Sequence, residues 1–190
     1  SWMKAQWSLQ RQILNRTRAL GLSGQLPGFQ GNVPAPLRDR LNDTNITIET
    51  AHHATGWMNS LDPNYAKIAG LWMKYLIEDF GTDHWYQLDG YFDGGTAPWL
   101  STEMGKSGRH ALASEHVRAV KTSPPSFDTS WFARGAAAYG GLNRTDPNAM
   151  WSYQGWAFNG WNSDEQASHL KAFVDATPQG KFVIIDMSTD

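Results

Sequence analysis

The chain of 190 residues is 41% hydrophobic and 18% charged, with a formal net charge of -2. That is long enough for one domain with its own core and too balanced in charge for a nucleic-acid or anionic-membrane footprint. Cysteine is absent, which excludes disulfides, zinc–thiolate sites and a cysteine nucleophile.

Residues 5–20 read as a helix with Trp7, Leu9, Ile13, Leu14, Thr17 and Leu20 on one face and Gly21 as its stop. "LSGQLPGFQGN" follows as a short strand running into a Gly/Pro loop, "PAPLRDRL" as a helical turn, and "NITIET" as a β-branched strand. Asp62-Pro63 is an N-cap followed by a first-turn proline. Tyr65, Ile68, Ala69, Trp72, Leu76 and Phe80 then make an apolar stripe of helical period, ended by Gly81. "HWYQLD" is the next strand, and it opens into the Gly- and aromatic-rich stretch "DGYFDGGTAPW", residues 89–99.

A helix is expected over 107–121, a break at "SPPS", and a further helix at "SWFARGAAAY", closed by Gly140-Gly141. "AMWSYQG" is a strand followed by the loop "WAFNGW". Ser163-Asp164-Glu165-Gln166 forms a capping box for a helix to about residue 176. Pro178 and Gly180 turn the chain into "KFVIID", read as a fully apolar buried strand. Strands separated by helices imply an α/β fold with about five parallel strands. Two architectures fit: an open doubly wound sheet, or part of a (β/α)8 TIM barrel. Nucleotide binding is disfavoured, because no G-x-G-x-x-G opens a helix after a strand and no P-loop lysine is present. No run is apolar enough to span a bilayer.

In either architecture ligands bind at the C-terminal ends of the strands. Those ends carry His52, His53 and Trp57, then Asp89, Tyr91, Asp93 and Trp99, then Gln154, Trp156, Asn159 and Trp161. Ten tryptophans are many for this length. Core packing is an equal reading for any one of them, but as a group they suit flat platforms for a sugar. Carboxylates beside Trp and Asn fit glycoside hydrolysis, which needs one carboxylic acid and one carboxylate across the scissile bond. Asp93 has the most functional-looking surroundings, against the plainer reading of a turn aspartate before Gly94-Gly95. The six histidines have poor spacing for a metal, no G-x-S-x-G elbow exists, and no cofactor is expected.

Four ordered segments resemble glycoside hydrolase family 89, the α-N-acetylglucosaminidases. They are "SWMKAQWSLQRQILNRTRALGL" with "LPGFQGNVP", "LDPNYAKIAGLWMKYLIEDFGTDHWY", "AMWSYQGWAF" and "GKFVIIDM". The resemblance implies a (β/α)8 catalytic barrel and retaining hydrolysis of terminal α-linked N-acetylglucosamine from glycans such as heparan sulfate. It implies a lysosomal or secreted protein. Residues 1–190 would be part of a single barrel domain truncated at both ends, inactive alone and completed by the remainder of its own barrel; self-association is left open.

Where the family reads Asn-Glu after its "GTDH" block, this chain has Phe92-Asp93. The resemblance therefore places Asp93 at the acid/base position, with Glu103 as the alternative and the nucleophile outside the chain. Trp156 matches the family's active-site Trp. Phe92, Asp89, Trp57, Trp161 and Gln154 complete the expected sugar contacts. The Asn-Glu to Phe-Asp change also opens an alternative, a carbohydrate-binding relative with impaired turnover. Among the N-x-[ST] sequons, Asn42, Asn45 and Asn143 are the expected glycosylation sites, Asn15 lying in a helix.

Overall fold

A computed structural model describes residues 1–41, 43–44, 46–49, 55–88, 129–155 and 164–185. Two sheets organise them. The larger has four parallel strands, β1 (Gln25–Pro27), β5 (Trp85–Gln87), β6 (Met150–Gln154) and β7 (Phe182–Ile185), adjacent in that order. The smaller is antiparallel, with β2 (Asn32–Pro34), β4 (Thr55–Met58) and β3 (Ile46–Glu49) side by side. "NITIET" is thus a strand as expected, but it is not a fifth parallel one. Only a few residues of sequence separate β3 from β4, and the two pair as antiparallel neighbours, whereas a parallel pair needs a long crossover.

The order β1-β5-β6-β7 never reverses. A doubly wound sheet contains a reversal at its switch point, whereas an arc of a barrel adds each strand beside the last. Pairing is in register: Gln25 opposite Trp85 opposite Met150, and Gln87 opposite Ser152 opposite Val183. Alternation then sends Leu26, Tyr86, Trp151 and Tyr153 to one face, where they join the core. That face packs against the helices α1 (Trp2–Ala19), α2 (Tyr65–Phe80), α3 (Thr129–Asn143) and α4 (Asp164–Asp175) through Leu14, Met73, Leu142 and Phe173. Trp151 is the centre of that core: it meets Phe173 and Phe182 edge-on at 5.2 and 4.7 Å.

Several local expectations shift for identifiable reasons. α2 starts at Tyr65 rather than Pro63, with Asn64 as its cap residue. The buried Asp62 side chain accepts from the Asn64 N–H at 2.8 Å and so shapes the turn before the helix. α3 runs through Gly140 and Gly141 instead of stopping there. A Cβ on Gly141 would lie 2.8 Å from that of Ala69, so this glycine lets α3 close on α2. Gly81 does end α2, at φ 72°, a conformation that favours glycine.

Of the apolar face foreseen on α1, only Leu14 is buried, beneath Gly24; Trp7, Leu9, Ile13 and Leu20 are exposed. "KFVIID" forms its strand, but Val183, Ile184 and Ile185 are 38%, 45% and 38% exposed rather than buried. Among the described residues β7 is the outer strand of the arc, with a neighbour on one side only. The helix expected at 107–121 and the stretch "DGYFDGGTAPW" lie outside the described residues. No helix among the described residues is long and apolar enough to cross a membrane.

Candidate active site

Pro27, Gln87, Gln154 and Ile185 end the four parallel strands at a common rim. The strand order and direction make this the face where barrel sites are built. Just past Gln87, Leu88 is 3% exposed and held on both backbone atoms. Its N–H donates to Ser152 O at 3.2 Å, and its carbonyl accepts from Trp151 Nε1 at 3.0 Å. The chain therefore leaves β5 toward Asp89 from a fixed point. Gln154 is half-buried at the end of β6, one glycine ahead of Trp156.

The small sheet stands on this same rim, because β1 leads into it through Gly28–Gly31. Its root is tied down by two helix side chains. Tyr65 donates to Phe29 O at 3.1 Å and Trp72 Nε1 donates to Pro27 O at 3.1 Å, while Phe29 packs on both rings. Trp57 is half-buried in the central strand β4, opposite Asn32 and Thr47. Beyond β4, Asn59 and Ser60 are buried and receive Arg134 of α3, whose Nη1 lies 2.7 Å from Asn59 Oδ1 and 3.3 Å from Ser60 Oγ. Arg134 was not foreseen; a cation in the first turns of an otherwise Ala- and Gly-rich helix was its only sequence signal.

Of the sequence candidates, the structure places Trp57 on the wall and Gln154 at the rim. Asp89, Phe92, Asp93, Glu103, Trp156, Trp161, Asn42 and Asn45 lie outside the described residues. Asn143 is exposed at the end of α3, near the start of β6 and so toward the opposite end of the arc.

That opposite end holds the densest polar cluster among the described residues. Asp146, 4% exposed, accepts hydrogen bonds from Tyr86 Oη at 2.7 Å, Thr82 Oγ1 at 2.9 Å and the Asn148 N–H at 3.1 Å, with His84 Nδ1 at 2.9 Å. Burial pushes its carboxyl upward, but the hydrogen bonds from Tyr86, His84 and Thr82 outweigh this and hold it below the ordinary range. The same burial, with Asp146 alongside, drives the Tyr86 phenol strongly upward. Asp83 receives Arg18 Nε at 2.9 and 3.0 Å and the Gly24 N–H at 2.8 Å. The Arg18 hydrogen bond lowers its carboxyl. Thr82, Asp83 and His84 thus tie the N-terminal ends of β1, β5 and β6 together. This is the structural face of a barrel, away from the rim where its chemistry is done.

Parallel strands added one by one, an outer layer of helices, and an antiparallel wall at the C-terminal rim are the architecture of part of a TIM-barrel domain. Comparison with known proteins makes this specific. The chain belongs to the alpha-N-acetylglucosaminidase (NAGLU) tim-barrel domain family, whose model matches residues 1–190. Human alpha-N-acetylglucosaminidase is 26% identical over 195 residues, a match covering 98% of this chain and 22% of the human protein. Among solved structures, CpGH89 from Clostridium perfringens in complex with its substrate GlcNAc-alpha-1,4-galactose superposes with a TM-score of 0.65. The identity is 15%, over 96% of this chain and 18% of that one. A family 89 glycoside hydrolase from the same organism in complex with PUGNAc gives 0.65 at 16% identity, over the same shares. These structures confirm the fold; the chain spans about a fifth of the length of its relatives.

Proposed function

We propose that the whole protein is a retaining glycosidase that removes terminal α-linked N-acetylglucosamine, from heparan sulfate-type glycans in a lysosomal or secreted setting. The observation that carries this reading is the family match along the entire chain, together with a rim where β5 ends at Gln87 and β6 at Gln154, each two residues before Asp89 and Trp156 respectively in sequence. Asp93, four residues beyond Asp89, acts as acid/base: it protonates the leaving oxygen and then activates water. The nucleophilic carboxylate comes from outside these residues, about 5–5.5 Å away as retention requires. Trp156 stacks on the sugar, with Trp57, Phe92, Trp161 and Gln154 around it.

The test is Asp93→Asn in the whole protein, assayed on an aryl α-N-acetylglucosaminide alongside Glu103→Gln. Loss of a general acid/base is expected to lower kcat by about 10²–10⁴-fold with KM little changed. Wild-type turnover by Asp93→Asn with a collapse in Glu103→Gln would move the role to Glu103. The Phe92-Asp93 pair supports a second reading, a sugar-binding relative with impaired turnover; its mark is saturable sugar binding by the wild-type protein without release of product.

A further inference from the structure

Barrel interiors are filled by layers of side chains, mostly branched aliphatics, contributed by alternate strands. Here the face opposite the helices carries, beside Trp85, Met150 and Val183, a group of amides and a hydroxyl. Gln25 of β1, Gln87 of β5, and Ser152 and Gln154 of β6 all occupy inward positions. Gln25 Nε2 donates to Ser152 Oγ at 2.8 Å, reaching past the strand between them, and lies 3.4 Å from Gln87 Oε1. Ser152 is 1% exposed.

The contact also has the height a closed barrel requires. By strand register Gln25 is level with Trp85 and Met150, yet its partner is Ser152, two residues higher. A shear of eight over eight strands lifts each layer by one residue per strand, hence two across alternate strands. Gln25 and Ser152 are therefore one interior layer, bridged by a hydrogen bond where a barrel would usually pack methyl groups. The Ser152 hydroxyl is buried and costly without a partner, so the exposed Gln25 amide that reaches it ties β1 to β6 at one defined height.

We propose that Gln25 is a positioning residue for the rim. Through Ser152 and Gln87 it sets the relative height of the ends of β5 and β6, from which the candidate acid/base segment and the Trp156 platform depart. Gln25 touches no reacting atom. The catalytic consequence rests on the function proposed above; the consequence for the strand ends does not.

The experiment compares the whole protein with Gln25→Met, which keeps length and removes the donor, with Gln25→Glu, which still offers an oxygen to the Ser152 hydroxyl, and with Ser152→Ala. The first readout is amide hydrogen exchange. The Leu88 N–H, bonded to Ser152 O, and the Gly28 N–H, bonded to Gln87 O, should exchange about tenfold faster in Gln25→Met. The Met150 and Trp151 N–H groups, bonded to His84 O and Lys181 O below the layer, should not change. The second readout is turnover of the aryl α-N-acetylglucosaminide. Gln25→Met should lose about tenfold in kcat, with KM within about twofold, since a misplacement of a full ångström costs about 10²-fold. Gln25→Glu should recover part of that loss, and Gln25→Met/Ser152→Ala should be no worse than either single variant.

Equal acceleration at all four amides, or no change at Leu88 and Gly28, overturns the proposal. A wild-type protein without turnover overturns the proposed function instead and leaves the exchange result to decide the role of Gln25.

Discussion

Asp146 shows how a residue outside the active rim can control the fold. Its buried carboxylate gathers donors from Thr82, Tyr86 and Asn148, with His84 beside it. Asp146→Asn replaces a charged acceptor by an amide that satisfies fewer of those donors, and should cost about 2–4 kcal/mol in urea unfolding. The pH dependence follows from the sign of the shift. The folded carboxyl sits below the ordinary 3.8, so the ionised form favours the native state. That contribution is complete above the unfolded value and is lost as pH falls through the lower folded one. The stability gap between wild type and Asp146→Asn should therefore stay constant above about pH 5 and close below about pH 4. A gap that widened on acidification would contradict this. In the sequence, "FGTDH" pointed to a family; it did not show that its polar residues close the far end of the barrel. Their partner Asp146 lies 62 residues beyond His84, and no local pattern links them.

At the scale of elements, the helices meet where side chains are missing. A Cβ on Gly135 would come within 2.2 Å of the Phe173 carbonyl oxygen of α4, backbone that cannot swing aside. Gly140, on the same helix, has open space around its Cβ position. Gly135→Ala should destabilise by about 2–3 kcal/mol through overpacking. Gly140→Ala should be neutral or stabilise by up to about 1 kcal/mol through helix propensity. Equal melting temperatures for the two variants would rule out glycine-mediated packing of α3 on α4. Read locally, both glycines of the Gly140-Gly141 pair resembled a helix stop. The approach of α2 to Gly141 explains that glycine's place inside the helix; nothing in the structure explains Gly140. The stripe of α2 was legible at Tyr65 and Ala69 because a buried face imposes a 3.6-residue period, but Trp72, placed on it, is exposed and its neighbour Met73 is buried instead. The stripe of α1 misled, because a periodic pattern reports which face is apolar and not whether an element covers it.

For the whole molecule, the exposed strand β7 is the main consequence of the arc. Val183, Ile184 and Ile185 present apolar surface on a strand that has, among the described residues, one open edge, the arrangement that templates association. Expressed by itself, the 190-residue chain should sediment as species larger than a monomer, and Val183→Lys with Ile185→Lys should shift it toward the monomer. A monodisperse wild-type monomer would sink this expectation.

The amino-acid sequence by itself determined where most helices and strands lie, that strands alternate with helices, and which family the chain resembles. These rest on local periodicity, capping residues and ordered motifs. Tertiary structure alone decided that four strands add in one direction, that "NITIET" joins a separate antiparallel wall, and that Gln25 reaches Ser152 across a strand. Pairing direction, strand order and layer height arise from contacts between segments distant in the chain, and a local pattern carries no record of which distant partner it will meet.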